Sequence, residues 1–234
     1  HLELKLKDTD PFLVQAEPYA LWAIEGKPKV QEHLPFLKST SEVIVAEDIS
    51  GYALRKVRIL NASHTAVTGH GLLHGIVTVG EWISDPTRGK FLLEMIEMEI
   101  IPTLGLDQAE LKKYANDVLD RFRNPFVAHK LSDISLNSIS KVKSRLLPIM
   151  IDYQNLNGKI PEKVSICLLS LVIFYLRNPK NIRDSEEIKS WFEDESKEKT
   201  EVERLQLGLK HWFNLDFTEG FKTAYTKAIQ ITGY

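Results

Sequence analysis

Arg55-Lys56-Val57-Arg58-Ile59-Leu60-Asn61-Ala62-Ser63-His64 is the stretch that decides how this chain folds and where its chemistry could sit. Leu54, Val57, Ile59, Leu60 and Val67 recur at helical spacing after the turn-prone pair Ser50-Gly51, which predicts a helix over residues 51–68. Successive helical residues turn by about 100°, so Lys56, His64 and Asn61 fall at roughly 0°, 80° and 140° round the axis. All three side chains can therefore open into one cleft.

An amine, an amide and an imidazole fanned over less than half a helix surface suit a carbonyl/alcohol redox centre. A lysine kept partly out of water loses some preference for its charged form and can exchange a proton with a hydroxyl. Lys56 then serves as general base for alcohol oxidation and general acid for ketone reduction. The Asn61 amide can stabilise charge developing on the reacting oxygen. His64 can orient Lys56 or bind a neighbouring hydroxyl. The same residues also fit a helical interaction module without chemistry, in which the lysine is solvated and the histidine is a satisfied core residue.

Downstream, the apolar pattern is helical. Phe91, Leu92, Met95, Ile96 and Ile100 form one face between Asp85-Pro86 and Pro102. Leu111, Tyr114, Val118, Leu119 and Phe122 form another, begun by Asp107 and stopped at Asn124-Pro125. Val164 to Leu176 is apolar throughout but falls short of the roughly 20 residues that span a bilayer, so it is expected to be a buried central helix. Glu201–Trp212 and Phe217–Ile231 read as amphipathic helices, and Glu193–Lys199 as an exposed charged loop. In Ser135–Pro148, Lys143 and Arg145 are expected on a solvated face, with Lys141 left open. The fold class is mainly α: a multi-helix domain over residues 46–234, preceded over residues 1–45 by a few β-strands.

Those strands are expected at Leu2–Leu6, Tyr19–Glu25 and Val43–Ala46, with Gly26-Lys27-Pro28-Lys29 as a loop. Three short strands need partners or a covering layer to be stable. The chain opens at His1 without an initiator Met or a leader pattern, so it reads as a fragment.

A hydrophobic content of 43% sustains a core, and a formal net charge of −2 with mixed signs gives no attraction for nucleic acid or membrane. The single Cys167 lies in an apolar run, which suits a reducing cytoplasm and a structural thiol. His70 and His74 share a helix face, yet no Glu or Asp completes an H-E-x-x-H pattern, so packing is expected there and no metal. Neither G-x-G-x-x-G nor G-x-x-x-x-G-K-[ST] occurs, so a pyrophosphate cradle is not visible.

Three stretches together resemble the polyol-specific long-chain dehydrogenases, the mannitol dehydrogenase family: K-x-x-x-x-N-x-x-H in "KVRILNASH", "AEPYALWAIEG" at 16–26, and "RFRNPFVAHKLSDISLNSISKVKSRLLP" at 121–148. Within it, the second and third look most like the tagaturonate (altronate) branch. The resemblance implies an NAD-dependent, metal-free oxidoreductase acting on a sugar acid or polyol. Its active site would lie at the junction of a helical C-terminal domain and an N-terminal Rossmann domain, largely absent here. Residues 1–45 would then be that domain's last strands. The cofactor-binding residues and a second asparagine of the oxyanion hole would lie upstream.

The resemblance places the family's catalytic lysine on Lys56, and its asparagine and histidine partners on Asn61 and His64. The R-F-x-N-P region contributes substrate contacts in such enzymes, which makes Arg121 the first candidate for a hexuronate carboxylate and His129 a second. A guanidinium fork matches a carboxylate with two hydrogen bonds. Alone, Arg121 and Arg123 also suit the dipole of a helix C-terminus. Fructuronate reductase and mannitol 2-dehydrogenase remain open as alternatives within the family.

Overall fold

The structure, a computed structural model, describes residues 19–27, 29–34, 37, 41–194 and 199–232. The chain divides into two units, His1–Ile49 and Ser50–Tyr234. In the first, β1 (Trp22–Glu25) and β2 (Val43–Ala46) pair in parallel, with Trp22 opposite Val43 and Glu25 opposite Ala46. Parallel strands cannot be joined by a tight hairpin, and the connection carries the single turn α1 (Val30–His33). No residue of either strand is buried. The strand expected at Leu2–Leu6 and residues 195–198 of the acidic loop lie outside the described residues.

The second unit is helical. Its first helix runs without a break from Ser50 to Leu73 but changes pitch, as α2 (Ser50–Arg55), a π turn (Lys56–Asn61) and α3 (Ala62–Leu73). It outlasts the expected end at residue 68 because Gly69 and Gly71 serve packing and do not break it. A Cβ on Gly69 would stand 2.3 Å from the Leu171 backbone nitrogen.

Capping residues define α4 (Val79–Ser84), α5 (Pro86–Met95) and α6 (Gln108–Phe122). Thr78 and Glu81 form a reciprocal capping box, a signal that sequence reading passed over. Asp85 and Asp107 accept from the backbone N–H of Arg88 and Glu110, and Pro86 opens α5, as expected.

A second π turn (Ile96–Ile100) follows α5, and a third (Val142–Leu146) lies between α8 (Ser138–Lys141) and α9 (Leu147–Asn157), after the short α7 (Leu131–Ile134). The first π turn packs against both others. Arg58 on it also reaches Asp152 on α9, with 2.8 Å between Nη2 and Oδ2.

At the centre stands α10 (Glu162–Arg177), buried at every position from Val164 to Leu176 and packed on α3, α12 (Glu201–Phe213) and α13 (Glu219–Thr232). Pro161 precedes α10 and offers it no side-chain cap. The Glu99 carboxylate, carried by the second π turn, supplies one from outside, accepting from Lys163 N–H at 2.8 Å and Val164 N–H at 2.9 Å. Ser185 opens α11 (Glu186–Glu193), which buries Ile188 and Phe192 and takes in Glu193 of the expected charged loop. Among the described residues no helix is long and apolar enough to cross a membrane.

Candidate active site

The π turn changes the relation between Lys56 and Asn61. A π hydrogen bond closes from residue i to i+5, and here Ala62 N–H reaches back to the Val57 carbonyl. A wider turn rotates each residue by less than the roughly 100° of an α-helix, so the roughly 140° expected between Lys56 and Asn61 does not hold here. Asn61 then opens α3 without a capping side-chain bond, so its amide is not consumed by the helix it begins. Its carbonyl accepts from Thr65 Oγ1 at 3.0 Å and from Arg145 Nη1 at 3.4 Å.

His64, one turn further, is fixed from a second element. α6 ends at Phe122, and the Asn124 side chain accepts from Phe126 N–H at 3.0 Å, turning the chain back. Val79 N–H then donates to the His129 carbonyl at 3.0 Å, which ties the returning segment to the start of α4. This path lays Phe122 against His64, with ring centroids 4.3 Å apart and planes 26° from parallel, and sets the His129 ring 5.3 Å away. Nε2 of His64 is buried without a hydrogen-bond partner among the described residues.

Burial is the main force holding His64 neutral, and repulsion from His129, Arg145, Arg121 and Lys141 adds to it, so that its pKa falls to about 3. The charged groups that bear on the ring are thus all basic. Arg121 and His129, distant from His64 in sequence, both bear on it, and the His129 ring lies 5.3 Å away. Such a set of basic groups favours an anionic ligand.

Two expectations need correction. Arg145 is not on a solvated face: it is half-buried, and its Nη1 donates to Thr65 Oγ1 at 3.1 Å as well as to the Asn61 carbonyl. The third π turn aims it at α3, and helical periodicity carries no sign of that turn. Lys56, expected partly dry, is exposed at the start of the first π turn. Lys141 is half-buried and donates to the Ile134 carbonyl at 2.7 Å, while Lys143 is exposed as expected. Arg123 is exposed and paired with Asp120 at 3.1 Å.

Of the remaining candidates, His70 and Cys167 are built into the core, while His74 is exposed. Trp82 Nε1–H donates to His70 Nδ1 at 3.0 Å, and the His70 and His74 rings stack with centroids 4.2 Å apart. Cys167 is fully enclosed, 3.9 Å from Met95 Sδ, and burial raises its thiol pKa, which makes it a poor nucleophile.

Comparison with known proteins agrees with this architecture. The profile of the mannitol dehydrogenase C-terminal domain matches residues 48–229. Altronate oxidoreductase of Bacillus subtilis (strain 168) is 38% identical over 185 residues, covering 79% of this chain and 38% of the relative. The Pectobacterium carotovorum subsp. carotovorum (strain PC1) protein of the same name is 39% identical over 174 residues, covering 74% and 36%. The chain thus spans little more than a third of these relatives. In fold it is similar to Pseudomonas fluorescens mannitol 2-dehydrogenase, solved as a ternary complex with NAD and D-mannitol (TM-score 0.69, 23% identity, 92% of this chain and 44% of that one). It is similar also to a substrate-free D-sorbitol dehydrogenase (TM-score 0.62, 18% identity, 81% and 42%). The chain belongs to the mannitol dehydrogenase family, and residues 48–229 are its C-terminal domain.

Proposed function

We propose that this chain is the substrate-binding and catalytic part of an NAD-dependent hexuronate oxidoreductase, which reduces tagaturonate to altronate with NADH. In this reading residues 1–45 close a dinucleotide-binding domain that lies upstream, and residues 46–234 form the substrate domain. The observation that carries the substrate class is the set of basic groups that bears on neutral His64, with Arg121 and His129 among them. A hexuronate carboxylate fits such a set; a neutral polyol gains nothing from it. Relatives named altronate oxidoreductase support the same class.

Each residue has a defined task. The Arg121 guanidinium binds the carboxylate, with His129 beside it. His64, neutral at working pH, hydrogen-bonds a substrate hydroxyl through its unpartnered Nε2. Lys56 Nζ delivers a proton to the ketone oxygen, and the Asn61 amide donates to that oxygen as charge develops. The dinucleotide supplies the hydride when bound. None of the described residues forms a glycine-rich cradle for its pyrophosphate, so its seat is assigned to the upstream domain.

Exposed Lys56 is the observation that favours the second reading, a helical module without chemistry. NADH oxidation by the whole enzyme with tagaturonate, fructuronate and fructose separates the two. Turnover with tagaturonate well above the others supports the proposal. Preference for fructuronate or fructose moves the enzyme within its family, and no turnover with any ketose favours the module.

A further inference from the structure

The first and third π turns touch, and the polar contact between them is made by Arg145. Its guanidinium is half-buried against two neutral acceptors, a backbone carbonyl and a hydroxyl. Placing a permanent cation there costs hydration, and among the described residues no carboxylate is bonded to it to offset that cost. The three groups form a chain: Arg145 Nη1 donates to Thr65 Oγ1 at 3.1 Å, and Thr65 Oγ1 donates to the Asn61 carbonyl at 3.0 Å. Arg145 also reaches that carbonyl directly at 3.4 Å. Linked hydrogen bonds of this kind strengthen one another.

Asn61 closes the π turn and opens α3, the point at which the pitch changes. A residue at such a junction owes its backbone position to whatever holds the junction, and π turns cluster at functional sites. Arg145 grips it from a different element, so the azimuth of the Asn61 side chain depends on a contact 84 positions away in sequence.

We propose that Arg145 is a positioning residue: by clamping the Asn61 carbonyl and the Thr65 hydroxyl, it fixes the first π turn so that the Asn61 amide meets the reacting oxygen. The inference rests on the reading of Asn61 given above. Arg145 touches no reacting atom. It acts on the rate of the chemical step and not on substrate affinity.

The test uses the whole enzyme with Arg145→Met, Arg145→Lys and Thr65→Val, and with Lys56→Ala as a reference. A misplaced oxyanion donor costs about 10- to 100-fold in rate. Arg145→Met is therefore expected to lower kcat by that range, leaving KM for tagaturonate and affinity for NADH within about 2-fold of the original. Arg145→Lys recovers part of the loss, and Thr65→Val reproduces part of it. Amide hydrogen exchange over residues 57–65 quickens in Arg145→Met, while the rest of the chain exchanges as before.

Unchanged kcat and exchange in Arg145→Met overturn the inference. So does a rise in KM alone, which marks direct substrate contact, or faster exchange throughout the chain, which marks a general loss of stability. If Lys56→Ala abolishes turnover and Arg145→Met does not lower it, the clamp fails and the functional reading stands. If Lys56→Ala keeps its turnover, the functional reading fails, and exchange over residues 57–65 alone decides whether Arg145 holds the turn.

Discussion

The His64 imidazole lies against the Phe122 ring, centroids 4.3 Å apart, with four basic groups bearing on it from α6, its following loop and the segment 141–145. Burial first, and then the surrounding basic groups, oppose its protonation. His70, enclosed beside Trp82, is likewise held down to about 3, first by burial and then by repulsion from His74 and Arg88, against a small opposing pull from Asp85.

Both histidines bind a proton more readily in the unfolded chain than in the folded one. Stability from their neutral forms is complete above about pH 6.5 and is lost as pH falls from 6.5 toward 3. Each pH unit below 6.5 costs about 1.4 kcal/mol per histidine at most. Thermal unfolding is expected to fall by roughly 5–15 °C between pH 7 and pH 5. Paired His64→Gln and His70→Gln substitutions should flatten the profile. A wild-type midpoint independent of pH over this range would show that neither ring is held neutral by the fold.

α3 and α10 approach at Gly69 so closely that an added Cβ would meet Leu171 N at 2.3 Å and Leu171 Cα at 2.4 Å. The obstructing atoms are backbone and cannot rotate away. Gly69→Ala is expected to destabilise the helical unit by about 3 kcal/mol or more, read by urea unfolding. Gly75, in the left-handed region with open space at its Cβ position, is the control. Gly75→Ala should cost only about 1 kcal/mol, from backbone strain.

The helices were legible where a local signal wrote them: Asp85-Pro86, Asp107, and the apolar run from Val164 to Leu176 that became the central helix. The π turns were not, because i→i+5 closure depends on packing between distant segments and leaves the apolar periodicity almost unchanged. Arg145 was misread for that reason. A 100° wheel holds only while the helix stays α, and the third π turn redirects the side chain onto Asn61 and Thr65. A general-base role led to the expectation that Lys56 is partly dry, yet it is exposed. Burial depends on what covers a helix, which spacing along it cannot reveal. The grouping of His64 with Arg121 and His129 was reached through family resemblance, since no local pattern links residue 64 to residue 129.

Arg121 bears electrostatically on His64 and, in the proposed reading, binds the substrate carboxylate. Arg121→Met should raise KM for a hexuronate by about 10- to 100-fold, the worth of a charge-assisted hydrogen-bonded pair. The effect on a neutral ketose should be several-fold smaller. Equal losses with charged and neutral substrates would remove Arg121 from carboxylate recognition.

In the proposed reading Lys56 is the acid and base for the substrate oxygen, and its removal bears on that reading most strongly. The most direct measurement is the single-turnover rate of NADH oxidation by the whole enzyme carrying Lys56→Ala, with tagaturonate in excess and NADH binding followed separately by fluorescence. The chemical step is expected to slow by at least about 100-fold, with NADH affinity nearly unchanged. A rate close to that of the unaltered enzyme would contradict the role given to Lys56.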